Sequence, residues 1–158
     1  MVKEFQDKTE YPKIAFIGIL IPILIISILQ VNFYSDKILF YILLFVNLIL
    51  ILSAFYIYKT SLNLRISDTV FYYELNSFSK EREEISLKDI LEIELIPLDY
   101  ISKFGGWGKR RNKNGTAYIF NDGYFLKIKT SNNVYYFSVS DNKKNECLSF
   151  LQTINKPL

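Results

Sequence analysis

The chain has 158 residues, half of them apolar, with a net charge of +3, one cysteine and no histidine. That length allows one ordinary domain, or a small domain and a membrane anchor. The missing histidines exclude His-based zinc sites and every His-containing triad or dyad. The single Cys147 excludes an internal disulfide, in keeping with a cytoplasmic domain.

Residues 1–13 carry Lys3, Lys8 and Lys13 against Glu4, Asp7 and Glu10, and read as a cytoplasmic N-terminal tail. Two uncharged runs follow, of 18 residues (Ile14 to Val31) and 21 residues (Ile38 to Tyr58). As helices they reach roughly 27 and 31 Å, enough for a hydrocarbon core of about 30 Å. Residues 14–58 therefore read as a two-helix transmembrane hairpin, spans 14–31 and 38–58. The first run does not read as a signal peptide. Its leading segment is acidic as well as basic, no small-x-small cleavage site follows, and a second span comes six residues later. A buried core helix would keep a polar face, which neither run has.

The short link 32–37 makes the hairpin antiparallel, with both termini on one side. Lys3, Lys8, Lys13, Lys59 and Arg65 flank the open end, and only Lys37 lies in the link, so the positive-inside rule places both termini in the cytoplasm at the inner membrane. Tyr11, Phe33, Tyr34, Tyr56 and Tyr58 fall at interfacial positions. Pro22 frees the carbonyl of Gly18, and Asn47 of the second span is expected at the same depth, bonding across the helices. Two helices cannot enclose a pore, so interhelical packing by Pro22 and Asn47 is preferred to a transport path.

Residues 59–158 read as a cytoplasmic domain of about seven short strands and a C-terminal helix. The strands are 62–66, "VFYYEL", "EEISL", "ILEIELIPL", "TAYIF", "YFLKIKT" and "VYYFSVS". Pro97 is expected to end pairing in the fourth. Asn121-Asp122-Gly123 and Ser131-Asn132-Asn133 read as turns. Lys127 and Lys129 are expected to face solvent. The terminal helix, capped by Ser140 or Asp141, is expected to bury Cys147, Leu148, Leu151 and Ile154. Cys147 then reads as a small buried hydrophobe.

The order "TVFYYEL … EEISLKDILEIELIPL … FGGWGKR … NGTAYIF-NDGYFLKIKTSNNVYYFSVS", ending in a helix, resembles bacterial membrane-anchored proteins with a pleckstrin-homology-like (PH-like) domain. "FGGWGKR" (Phe104 to Arg110) and "LKDI" (Leu87 to Ile90) carry the likeness, which spans nearly the whole chain as an architecture. It implies two membrane helices before a bent sheet or open barrel closed by the C-terminal helix. It implies no catalytic residue and no agreed ligand. Asn132-Asn133 stands where the family's pattern would place a Gly-containing turn.

The segment from Tyr100 to Tyr118 holds the only tryptophan and four of six glycines. It does not read as a nucleotide-binding P-loop, because Gly108-Lys109 precedes Arg110 and a strand instead of Ser/Thr and a helix. Glu83-Glu84 and the pair Glu92, Glu94 have the alternation of half-exposed strands, with nothing to split their pKa values. No cofactor or metal site is expected.

The basic loop is set apart by charge. Residues 59–158 hold 15 Lys and Arg against 12 Asp and Glu. Without Lys103, Lys109, Arg110, Arg111 and Lys113 the balance is 10 against 12. Beside a bilayer, such cations gain about 1 kcal/mol each on an anionic surface. Phe104 and Trp107 would either touch lipid or plug the sheet from inside. The expected function is a non-enzymatic binding or scaffolding module that meets a protein partner at the membrane. The alternative is an anionic-lipid sensor using loop 102–115, and nucleic acid is disfavoured by the tether.

Overall fold

The computed structural model describes residues 4–154. It divides into two units: Tyr11–Thr60, and the segments on either side of it taken together.

The first unit is a pair of helices, α1 (Lys13–Asn32) and α2 (Lys37–Lys59), each long and apolar enough to cross a membrane. Asp36 caps α2, its carboxylate accepting from the amides of Ile38 and Leu39 at 3.1 Å. The Phe16 and Tyr58 rings meet edge-on at 6.4 Å near the open end of the pair. Asn47 is buried and bridges the helices, donating to the Ser27 hydroxyl at 2.9 Å and the Gln30 side-chain carbonyl at 3.4 Å. The interhelical bond expected of Asn47 is present, yet its partner is not the Gly18 carbonyl near Pro22. Helical side chains tilt toward their own N-terminus. That tilt carries the Asn47 amide about a turn toward the interhelical link, where Ser27 stands. Pro22 lies inside α1 and takes no part in this bridge.

The second unit holds nine strands among its described residues, two more than expected. One sheet is a meander of β1 (Phe5–Glu10), β2 (Ser61–Ile66), β3 (Val70–Asn76) and β4 (Glu81–Ser86). The other contains β5 (Ile90–Pro97), β6 (Gly108–Asn112), β7 (Gly115–Ile119), β8 (Tyr124–Thr130) and β9 (Val134–Ser138), in the order β5-β8-β9-β7-β6. The two sheets are not closed into a barrel.

The segment expected as a tail thus supplies an edge strand. Glu10 pairs with Ser61 and Phe5 with Ile66, so the helical hairpin occupies the place of a β1–β2 turn. Sequence periodicity missed β1 because its inward residues are Phe5, Asp7 and Thr9, only one of them apolar. Asp7 is buried because its carboxylate accepts from the Ser140 amide at 2.7 Å and from the Ser140 hydroxyl.

β5 ends at Pro97, as expected, and a bulge at Ile90/Glu92 turns Leu91 out to solvent. β7 and β9 pair in parallel, the one departure from antiparallel pairing among the described residues. Side chains two apart share a face. From the register, Leu126, Ile128, Tyr135, Phe137 and Tyr118 therefore lie on one face of the five-stranded sheet. There the Phe137 ring meets Phe71 at 5.0 Å and Tyr73 at 4.8 Å, joining the two sheets. The opposite face carries Ala117, Ile119, Phe125 and Tyr136, covered by Leu98 and Phe104.

The terminal helix, α4 (Lys144–Ile154), follows a 3-10 turn at Asp141–Lys143. It buries Cys147, Phe150 and Leu151, with the Phe150 ring 6.5 Å from Phe5. Leu148, expected inside, is exposed. The helical phase that buries Cys147 brings in positions i+3 and i+4, Phe150 and Leu151, and turns i+1 away.

Candidate functional site

The basic stretch expected as a loop is an ordered helix and strand. A one-turn helix, α3 (Tyr100–Phe104), begins at Asp99, whose carboxylate accepts from the Ser102 hydroxyl at 2.7 Å and the Ser102 amide at 3.2 Å. Those bonds hold the Asp99 carboxyl below its usual value. Gly105 ends the helix in the left-handed conformation at φ 81°, its amide donating to Ile101.

The glycine turn sends its aromatics inward. Phe104 is buried with its ring 5.4 Å from Tyr136. Trp107 packs on the same cluster, half-buried, and its indole N–H donates to Asp122 at 3.0 Å. Tyr100 donates to the same carboxylate, and burial together with Asp122 pushes its phenol up to about 12. Trp107 is thus anchored on its own domain by this bond and this packing.

β6 is the edge strand beyond this turn, and its residues Lys109–Asn112 are exposed. Sequence reasoning overlooked it because "GKRRN" holds no apolar residue; only pairing to β7, Lys109 against Tyr118 and Arg111 against Thr116, reveals it.

The five cations differ in their surroundings. Lys109 donates to both oxygens of Glu81, at 2.7 and 2.6 Å, and lies 5.5 Å from the Tyr118 ring centre. Tyr118 also donates to Glu81 at 2.7 Å, and its hydroxyl lies 3.0 Å from that of Tyr73, which donates to Glu83 at 2.7 Å. Burial pushes the phenols of Tyr73 and Tyr118 well above their ordinary value. Burial also pushes the Glu81 carboxyl up, but the bonds from Lys109 and Tyr118 outweigh it and hold the group below 4.5. Lys103, Arg110, Arg111 and Lys113 are exposed and form no ion pair among the described residues. Sequence spacing gave no sign that Glu81, 28 residues earlier, would take Lys109 out of this set.

Lys127, expected to face solvent, is clamped between Glu92 and Glu94 at 2.7 Å each, and these bonds raise its pKa. The Glu92, Glu94 face is thus an ion-pair ladder. Cys147 is fully buried, and burial pushes its thiol up to about 12. The expected Ser131-Asn132-Asn133 turn joins β8 to β9, in a position that the sequence did not show. It stands against the β6–β7 turn, and Lys129 and Asn132 line a shared cavity with Arg111 and Lys113.

Comparison with protein-family models, with curated proteins and with solved structures finds no match for this chain.

Proposed function

We propose that the chain is a membrane-anchored, non-enzymatic binding module, a PH-like sheet domain held at the cytoplasmic face of the inner membrane that recruits a protein partner. The observation that carries this reading is β6, an edge strand whose outer side is unpaired and whose Arg110 and Arg111 have no counter-ion among the described residues. An edge with free backbone donors and acceptors accepts a further strand, and its charge selects an acidic one. Electrostatic complementarity of this kind speeds encounter and excludes basic competitors.

The anchoring supports the reading. Two residues, Tyr11 and Pro12, link β1 to α1, and Thr60 alone links α2 to β2. Two such links set a short covalent reach between sheet and anchor. The PH-like component rests on two sheets with a C-terminal helix; the parallel β7–β9 pair departs from an all-antiparallel meander. The chemistry of the domain agrees with binding: the sequence has no histidine and its thiol is buried.

A photo-crosslinker placed at position 110 of the full chain in intact membranes tests this. The expected product is a protein cross-linked through an acidic segment, lost in the Lys103→Glu, Arg111→Glu double variant and not formed from position 152 on α4. Products that contain only lipid would replace this reading with an anionic-lipid sensor acting through residues 102–115. No product at all would remove both.

A further inference from the structure

Beyond the β6 edge, the structure assigns a second site: an oxyanion pocket for a phosphate group, between the β6–β7 and β8–β9 turns. A cavity of about 350 Å³ opens there, at the small end of ligand-sized pockets. Arg111, Lys113 and Asn114 line it from one turn, and Lys129, Ser131 and Asn132 from the other. Among the described residues no carboxylate lines it.

The walls are held from behind. The Asn114 amide donates to the Asn112 side chain at 2.8 Å, and the Asn133 amide to the Thr130 hydroxyl at 3.2 Å. Asn133 also donates across to Thr116 at 3.1 Å, lacing one turn to the strand that follows the other. Gly115 lets the two turns approach: its φ is 124°, and an added Cβ would stand 2.1 Å from the Val134 carbonyl oxygen. The side chains of Asn114, Ser131 and Asn132 make no hydrogen bond among the described residues, so their donors stay available.

Charge decides what fills the space. A larger cavity of about 610 Å³ contains Lys8, Arg65 and Lys143, but each of these is paired, with Glu10, Glu4 and Glu146. At the turn pocket Arg111 and Lys113 are unpaired among the described residues. Lys129 stands opposite Glu92, which accepts a hydrogen bond from Lys127 and meets Lys129 through charge alone. Three cations around one hole repel each other until an anion enters. A guanidinium fork with ammonium and amide donors matches the several oxygens of a phosphate. The phosphate would come from a soluble phosphorylated compound or from a phospholipid headgroup.

The full chain in maltoside micelles separates the sources. Inorganic pyrophosphate is titrated by calorimetry at constant ionic strength, and added phosphatidate is followed by native mass spectrometry against neutral diacylglycerol. One-to-one binding of at least one probe is expected, weakened about tenfold or more in Arg111→Ser, Lys113→Ser, Lys129→Ser. A charge-matched control, Lys88→Ser, Lys103→Ser, Arg110→Ser, should lose less than about threefold. Asn132→Asp puts a negative charge in the pocket with little change of shape and should weaken binding even if the triple variant fails to fold. Absence of one-to-one binding for both probes overturns the pocket, as does an equal loss in the control. Binding of pyrophosphate identifies a soluble ligand, and binding of phosphatidate alone identifies a headgroup.

Discussion

The two ends of the β6–β7 hairpin carry the same kind of charge and put it to opposite use. At the β6 start, Lys109 is held by Glu81 beneath the Tyr118 ring, in a network that runs through Tyr73 to Glu83 and joins the two sheets. Two residues on, Arg111 shares the face of Lys109 by strand alternation yet meets no carboxylate among the described residues. A cation that the fold has already neutralised contributes to stability. One left unneutralised at a rim is available to a ligand. Counting basic residues cannot separate the two cases, because the difference lies in which strand of the other sheet ends nearby.

The largest test of that contrast is Gly115→Ala. Overpacking against the Val134 carbonyl and left-handed strain for an L-residue should together cost about 2–5 kcal/mol. The same change should abolish binding of whichever phosphate probe the pocket takes, by parting the turns. Trp107 is the only tryptophan and packs on the core of the sheet unit, so its fluorescence during urea unfolding in micelles reports that unit alone. A variant as stable as the parent would show that the two turns need no such approach.

Next in size is Glu81→Ala. It leaves Lys109 and the Tyr118 hydroxyl without their shared acceptor, a loss of about 1–2 kcal/mol for a partly exposed group. Its pH signature follows from sign. Glu81 in the fold titrates below its ordinary 4.5, so its contribution is complete above that value and is lost as pH falls through the folded one. The parent should therefore weaken on acidification below 4.5 more steeply than Glu81→Gln. Parallel slopes would mean that Lys109 gains nothing from its partner, and the two ends of the hairpin would be alike.

Much of this fold was legible from residues whose pattern carries a single meaning. Two uncharged runs give two helices, Pro97 ends β5, and Asn121-Asp122-Gly123 makes the turn into β8. The unread parts share a cause. β1 hides its inward face behind Asp7 and Thr9, whose burial is compensated from Ser140 and Ser138, more than 120 residues away. β6 has no apolar residue, and an edge strand on a basic segment is set by its partner's register, which one sequence does not display. The phase of α4 slipped for a different reason, since Leu148 and Phe150 are both apolar and only contact with Phe5 chooses between them. The site divided the same way: the five cations were found from sequence, while Glu81, Lys129 and Asn132, which determine what each cation does, were not.

The smallest effect is the most discriminating. Arg111→Ala and Lys113→Ala remove exposed groups without ion pairs, so each should shift the stability of the sheet unit by no more than about 0.5 kcal/mol. The sign should be slightly favourable at low salt, where removing one cation eases repulsion on the others, and should vanish near 1 M salt, where the screening length is about 3 Å. Lys109→Ala removes the same charge from the same hairpin and should cost about 1 kcal/mol, with weaker salt dependence because its partner is in direct contact. Urea midpoints for the three variants at both salt concentrations place them on one scale. A loss at Arg111 as large as that at Lys109 would mean that its guanidinium already has a partner within the fold. The pocket would then have two cations in place of three, and the anion it holds should bind correspondingly less tightly.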